Sequence, residues 1–237
     1  MNTVLIFILL AHILLAQGST EPDLRGIWQV RKPAETNLEA PKSVIVDPPN
    51  GKIPYRPDAI AKRQENFKNR ATADPKNMCF QPGVPRAAYT PKPLQIFQTS
   101  GRVVIVYQDV HAYRVIFTDG RPHYDEGIEF YMGDSRGHWE GNSLVVNVTN
   151  FKDETWLDMA GNYHSDALHV VERYTRSGSG TINYEATIED SKVFTRPWKI
   201  SMPLFLHTEA GAQILEDECV KDDRGVRRHT SPFRTAK

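Results

Sequence analysis

From Pro93 to Val220 the chain alternates apolar and polar residues with a period of two, and Gly, Asn, Ser and Asp interrupt the alternation at short intervals. This pattern constrains the fold more than any other feature, because successive side chains on a strand point to opposite faces. It predicts strands over 94–99 and 102–108 joined at Ser100 and Gly101, a third over 113–118 and a short fourth over 128–132. A hairpin follows over 136–140 and 143–149 around Gly141 and Asn142, and another over 168–175 and 181–189 around the run 177–180. The last pair, 198–207 with 213–220, turns at Ala210 and Gly211. About ten strands on short turns predict an all-β, mainly antiparallel meander that closes into a calycin-like barrel or folds into a β-sandwich. The hairpins share neither a period nor a motif.

Upstream the pattern is less regular. Strands are expected over 24–30 and 43–47, with Pro33, Pro41, Pro48, Pro49 and Pro54 forbidding long elements between and after them. One helix is expected from Pro57, a good first-turn residue, to just before Pro75. Ile60, Phe67 and Ala71 share a narrow face, which places this helix on the outside of the fold. A proline-rich loop covers 79–86. Residues 19–92 therefore form an irregular segment with one helix, joined to the β domain 93–220 as one structural unit.

The ends read differently. Val4 to Ala16 is an apolar run broken only by His12, and at about 13 residues it is shorter than the roughly 20 that a membrane helix needs. It fits the core of a signal peptide over 1–18, with Ala16 and Gly18 as cleavage candidates, although Met1, Asn2 and Thr3 carry no positive charge. A buried first strand is the alternative, and nothing polar alternates through the run to support it. The expectation is export to the periplasm or beyond, with no membrane insertion after signal removal. Cys79 and Cys219 then lie in an oxidising compartment, where they form either one disulfide closing a long loop or two buried thiols. The tail 221–237 has six basic and two acidic residues and reads as a solvated terminus.

Charge narrows the partners. Lys plus Arg and Asp plus Glu balance at 29 each, so the basic footprint of a nucleic-acid binder is missing. Polar residues gather in two stretches, His111 to Glu140 and Thr155 to Arg173, in loops and strand ends where a β scaffold carries function. His164 and Asp166 precede a strand and could act as a general base with an orienting carboxylate, or could simply cap a turn. His138 sits at a hairpin tip whose geometry does not require a histidine. On 168–175, Leu168, Val170, Glu172 and Tyr174 share one face and His169, Val171, Arg173 and Thr175 the other. Glu172, Arg173 and Glu185 are thus candidates for a polar barrel interior, against exposed cross-strand pairing. The spacing of His164 and His169 is no recognised ligand pattern, so no metal site is expected, and a site scattered over His111, His123, His138 and His164 is the weaker possibility. Gly-x-Ser-x-Gly, Walker and dinucleotide patterns are absent, and no cofactor is expected.

Two resemblances emerge from these residues. Gly26-Ile27-Trp28 resembles the first strand of lipocalin-type barrels, whose Trp closes one barrel end. Five longer stretches resemble a large family of uncharacterised exported bacterial β-rich proteins: 79–86 (Cys-Phe-Gln-Pro-Gly-Val-Pro-Arg), 116–123 (Ile-Phe-Thr-Asp-Gly-Arg-Pro-His), 138–146 (His-Trp-Glu-Gly-Asn-Ser-Leu-Val-Val), 155–158 (Thr-Trp-Leu-Asp) and 164–173 (His-Ser-Asp-Ala-Leu-His-Val-Val-Glu-Arg). They span most of the chain after Arg56, with Asn142 departing from the family's Asp. That resemblance implies export and a bacterial source and carries no catalytic residue with it.

The reading that best accommodates these features is an exported enzyme acting on a small, partly apolar molecule by cofactor-independent acid–base chemistry of lyase, isomerase or cyclase type. His138, His164 and Asp166 are its expected proton-transfer groups. Arg114 or Arg121 would hold an anionic oxygen, and Tyr107, His111, Tyr113, Trp156, Asp158 and Glu172 would complete the substrate pocket. A lipocalin-like binding protein without catalysis and a cell-envelope interaction module are the alternatives.

Overall fold

A computed structural model describes residues 21–41, 43–221 and 227–230. The expected signal peptide and most of the basic tail lie outside the described residues. The strands are β1 (Gly26–Val30), β2 (Ile45–Asp47), β3 (Leu94–Thr99), β4 (Arg102–Tyr107), β5 (Tyr113–Phe117), β6 (Asp134–Glu140), β7 (Ser143–Thr149), β8 (His169–Arg176), β9 (Thr181–Glu189), β10 (Trp198–Leu206), β11 (Glu218–Lys221) and β12 (Arg227–Thr230). One α-helix, α1 (Ile60–Ala73), accompanies them.

The sheet order runs β1-β3-β4-β5-β6-β7-β8-β9-β10, and β10 returns to β1, so nine strands close into a barrel. The sandwich alternative falls. Closure rests on the register Trp28↔Leu206, Gln29↔Phe205 and Val30↔Leu204, and it removes the unpaired edges that an open sheet would leave. β2 adds beside β10 next to β1. All neighbours are antiparallel except β5 and β6, which run parallel and share only Ile116↔Ser135 and Phe117↔Arg136. A parallel neighbour obliges the chain to travel back along the barrel, and residues 118–133 make that return on the outside.

Alternation sorts the side chains as the sequence predicts. Trp28, Ile96, Ile105, Val146, Tyr174, Tyr184 and Ile200 fill the interior and are at most 2% exposed. β8 puts Val170, Glu172 and Tyr174 inside, while Arg173 on its outer face pairs with Glu140 at 2.6 Å. Glu185 is only partly buried on β9, so neither Arg173 nor Glu185 is an interior group. Trp28 plugs the barrel near the hairpin tips, donating its indole N–H to Leu24 O at 2.9 Å under the guanidinium of Arg176 at 4.8 Å. The opposite end is covered by irregular segments.

That cover is held by charge and by the disulfide. Arg86, 1% exposed, makes two bonds to Asp74 at 2.9 and 2.8 Å and one to Glu35 at 3.2 Å. Lys76 bridges Glu35 and Asp109, and Lys92 bridges Asp109 and Asp217. Cys79 and Cys219 are bonded, with Cα atoms 5.5 Å apart. Buried charges of this kind persist only when each has its partner.

Two expected strands differ. The one over 128–132 reduces to a single bridge, Phe130↔Phe151, because these residues belong to the return segment. The last expected hairpin is not formed: β10 already has β9 on one edge and β1 with β2 on the other, so β11 pairs with β12 instead. α1 lies on the surface with no buried residue, as its narrow apolar face predicts.

Candidate functional site

The short pairing of β5 with β6 leaves Tyr113, Arg114 and Val115 without a strand on that side. The return segment passes over the gap and does not fill it. A cleft of about 510 Å³ results, walled by Tyr113, Phe117, Tyr124, Phe130 and Tyr131, with Lys152 and Glu129 among its polar groups and Arg114, Asp134 and Ser135 toward the barrel. Its size falls within the range of small-molecule pockets. Gly133 permits the close approach at its inner end. Its φ is +67°, and a Cβ there would lie 2.6 Å from Val148 and 2.7 Å from the Phe151 ring.

Arg114 points inward from β5 and is the floor of this cleft. It binds Glu172 twice, at 2.6 and 2.9 Å, and reaches Tyr174 Oη at 2.7 Å and Ser135 Oγ at 3.4 Å. Tyr174 and Tyr184 each donate to Glu172 Oε1, at 3.0 and 2.8 Å. Burial opposes charge on Arg114, and the Glu172 carboxylate more than offsets it, so the guanidinium stays protonated. Burial also pushes the Tyr107 hydroxyl beside this group up to about 12. Arg114 Nε, buried, has no acceptor among the described residues. Three of the expected site residues, Tyr107, Arg114 and Glu172, are therefore brought together, and Tyr113 joins them from the cleft side.

Asp134, which lines the cleft, pairs with His123, which is not itself a lining residue. His123 Nδ1 lies 2.8 Å from Asp134 Oδ2 and 3.1 Å from Thr149 Oγ1. The same Asp134 oxygen accepts the Tyr124 N–H at 3.1 Å, and the other accepts Arg136 Nη1 at 2.5 Å. Asp134 is buried while the His123 side chain is 30% exposed, and Nε2 of the ring has no described partner. A buried carboxylate thus fixes the ring and leaves one nitrogen free, the arrangement a general base requires. Arg136 stacks near both Phe117 and Tyr124, at 5.1 and 5.3 Å, which ties the pair to the aromatic walls.

The remaining expected residues are dispersed. His164 and Asp166 do not form a pair: Asp166 is exposed and binds Lys192 at 2.7 Å, and the orienting carboxylate near this turn is Asp190, which binds Ser165. His164 is buried, between Thr155 Oγ1 at 2.6 Å and Ser165 O at 2.9 Å, and desolvation lowers its pKa below 6.5. His138 stands near the other end of the β6–β7 hairpin, on the outer surface, 2.8 Å from Glu140. Trp156 is a core residue, 7% exposed, and no pocket wall. Asp158 is fully buried, with both oxygens taken by Leu38 N–H, Ala160 N–H and Asn162, so it ties a loop together. Arg121 is on the surface with Asp119, and His111 is exposed on a turn with φ of +51°.

His123 and Asp134 lie within the polar stretch recognised in the sequence, yet nothing in their spacing marks them as partners. Only the return segment brings them together. Lys152 and the aromatic walls are equally a product of that crossing. Among the described residues, no three His, Cys, Asp or Glu gather as a metal-binding group, and no helix is long and apolar enough to cross a membrane. Comparison with family models, curated proteins and solved structures gave no match.

Proposed function

We propose that this chain is an exported protein that holds a small, partly aromatic molecule in the β5–β6 cleft and performs proton transfer on it, with His123 as the base and Asp134 as its orienting carboxylate. The observation that carries the reading is the fixed His123–Asp134 pair, whose carboxylate member lines an aromatic-walled cleft. The aromatic walls would take the ring of the substrate, and Lys152 would hold an oxygen that gains negative charge as the proton leaves. Carriage of an apolar ligand inside the barrel has less support, since inward side chains such as Tyr174, Tyr184 and Ile200 have no solvent-accessible surface. The disulfide suits an oxidising compartment and so supports export.

A generic probe tests the base without knowledge of the natural substrate. In 5-nitrobenzisoxazole a base removes the ring C–H proton, the electron pair forms the nitrile, and the N–O bond breaks to release a coloured phenolate. The mature protein is expected to open this ring above the buffer rate. His123→Ala should remove about 10²-fold or more of the excess, and Asp134→Asn a smaller part, with circular dichroism checking the fold. A rate unchanged in His123→Ala, or no excess rate in the parent protein, overturns the assignment.

A further inference from the structure

A second cavity lies outside the barrel wall, on the far side of the fold's closure. β1 ends at Val30 opposite Leu204, and β2 begins at Ile45 opposite Ile200, so both flank the same edge of β10. Between them the edge of β10 has no strand partner over 202–203. The described segments 31–41 and 43–44 flank this gap, anchored where Val44 O accepts the Ser201 N–H at 2.9 Å. The space there has a volume of about 600 Å³.

Its floor is unusual for a strand edge. His207 N–H donates to Ile27 O and Ser201 N–H to Val44 O, so alternate amides of β10 point toward β1 and β2. The amide that would point into the gap belongs to residue 203, which is proline and has no N–H. The site thus avoids an unsatisfied donor without water or a partner strand. Val30, Ala34, Val44, Met202, Pro203 and Phe205 supply its apolar surface. At the mouth stand two exposed cations, Arg31 and Lys32. The Arg31 guanidinium lies over the Phe205 ring at 3.8 Å, and neither cation has a carboxylate partner among the described residues.

We propose that this groove is a binding site for a free amphipathic anion, with an apolar chain against Val30, Ala34, Val44 and Pro203 and a carboxylate or similar head at Arg31 and Lys32. Charge complementarity selects the anion, and the apolar lining selects the chain. The volume selects a small molecule over a protein segment or a bilayer surface. The site shares no residue with the β5–β6 cleft, so it stands whether or not the proton-transfer reading does.

Decanoate and decan-1-ol, both below their aggregation limits, test this by titration followed with ¹H–¹⁵N NMR. Decanoate is expected to shift amides of 30–44 and 201–205 and to bind more tightly than the alcohol. The double variant Arg31→Gln/Lys32→Gln should weaken decanoate about tenfold and leave decan-1-ol unchanged. Ser201→Phe, on the outer face, should fill the groove and abolish both. Shifts confined to the β5–β6 cleft, equal affinity for acid and alcohol, or binding undiminished in Ser201→Phe would each overturn the proposal. Co-sedimentation with phosphatidylglycerol vesicles, in the absence of decanoate binding, would overturn it in favour of a membrane surface.

Discussion

At the scale of single residues, burial decides which ionisable groups can do chemistry. His164 illustrates the structural outcome. It is completely enclosed, both ring nitrogens are engaged, and desolvation holds its pKa below the ordinary 6.5. A histidine with a depressed folded pKa contributes stability that is present above the unfolded value and lost as pH falls through the folded one. The protein should therefore lose stability on acidification from about pH 6.5 downward. In His164→Gln the urea midpoint should depend less on pH over that interval, whatever its absolute value; an unchanged pH slope would remove His164 from the account. His123 is the opposite case, since its ring is oriented by a buried acid and still reaches solvent. The sequence places both histidines in polar stretches and does not distinguish them, because burial is a property of the closed barrel. Glu172 was more legible, as its parity with Val170 and Tyr174 assigns it to the interior.

At the scale of elements, regular strands follow the period-two pattern closely, while their partners do not. The hairpins β3–β4, β6–β7 and β8–β9 are fixed by their turn residues and form as read. The parallel β5–β6 pair has no turn to announce it, and so the return segment over 118–133, which builds the cleft, is invisible in the sequence. β11 pairs with β12 and not with β10 for a related reason: local alternation names a strand without saying which edge is free. The helix α1 was legible in position and exposure, but its contact was not. It rests on the loop at Gly161, where a Cβ would lie 2.7 Å from Phe67 N and 2.8 Å from Asn66 Cβ, with φ already at +82°. Gly161→Ala should cost about 1–3 kcal/mol, from strain at positive φ plus displacement of the helix. Hydrogen exchange should show the loss concentrated in α1 and the 158–164 loop; uniform loss across the barrel would contradict this.

At the scale of the whole molecule, the barrel and its cover are separately secured. The cover brings Glu35, Asp74, Asp109 and Asp217 onto Lys76, Arg86 and Lys92, and the disulfide joins two points 140 residues apart. Loop-closure entropy for so long a loop amounts to about 5 kcal/mol as an upper figure, with about 2–4 kcal/mol typical of measured cases. Cys79→Ser/Cys219→Ser should lower stability within that range in denaturant unfolding. The barrel strands should keep their slowest-exchanging amides, because neither cysteine belongs to the nine closing strands. Loss of barrel protection in the reduced-type variant would show instead that cover and barrel fold as one.

The closure of β1 on β10 has a consequence for the order of events in the cell. The first strand of the barrel finds its second neighbour only when residues 204–206 have been synthesised. Until then a growing chain holds an incomplete sheet with two bare edges, and contacts of such long sequence separation form slowly. If the chain is exported unfolded, as the proposed function has it, that delay would keep its native state out of reach until the last barrel strand has been made.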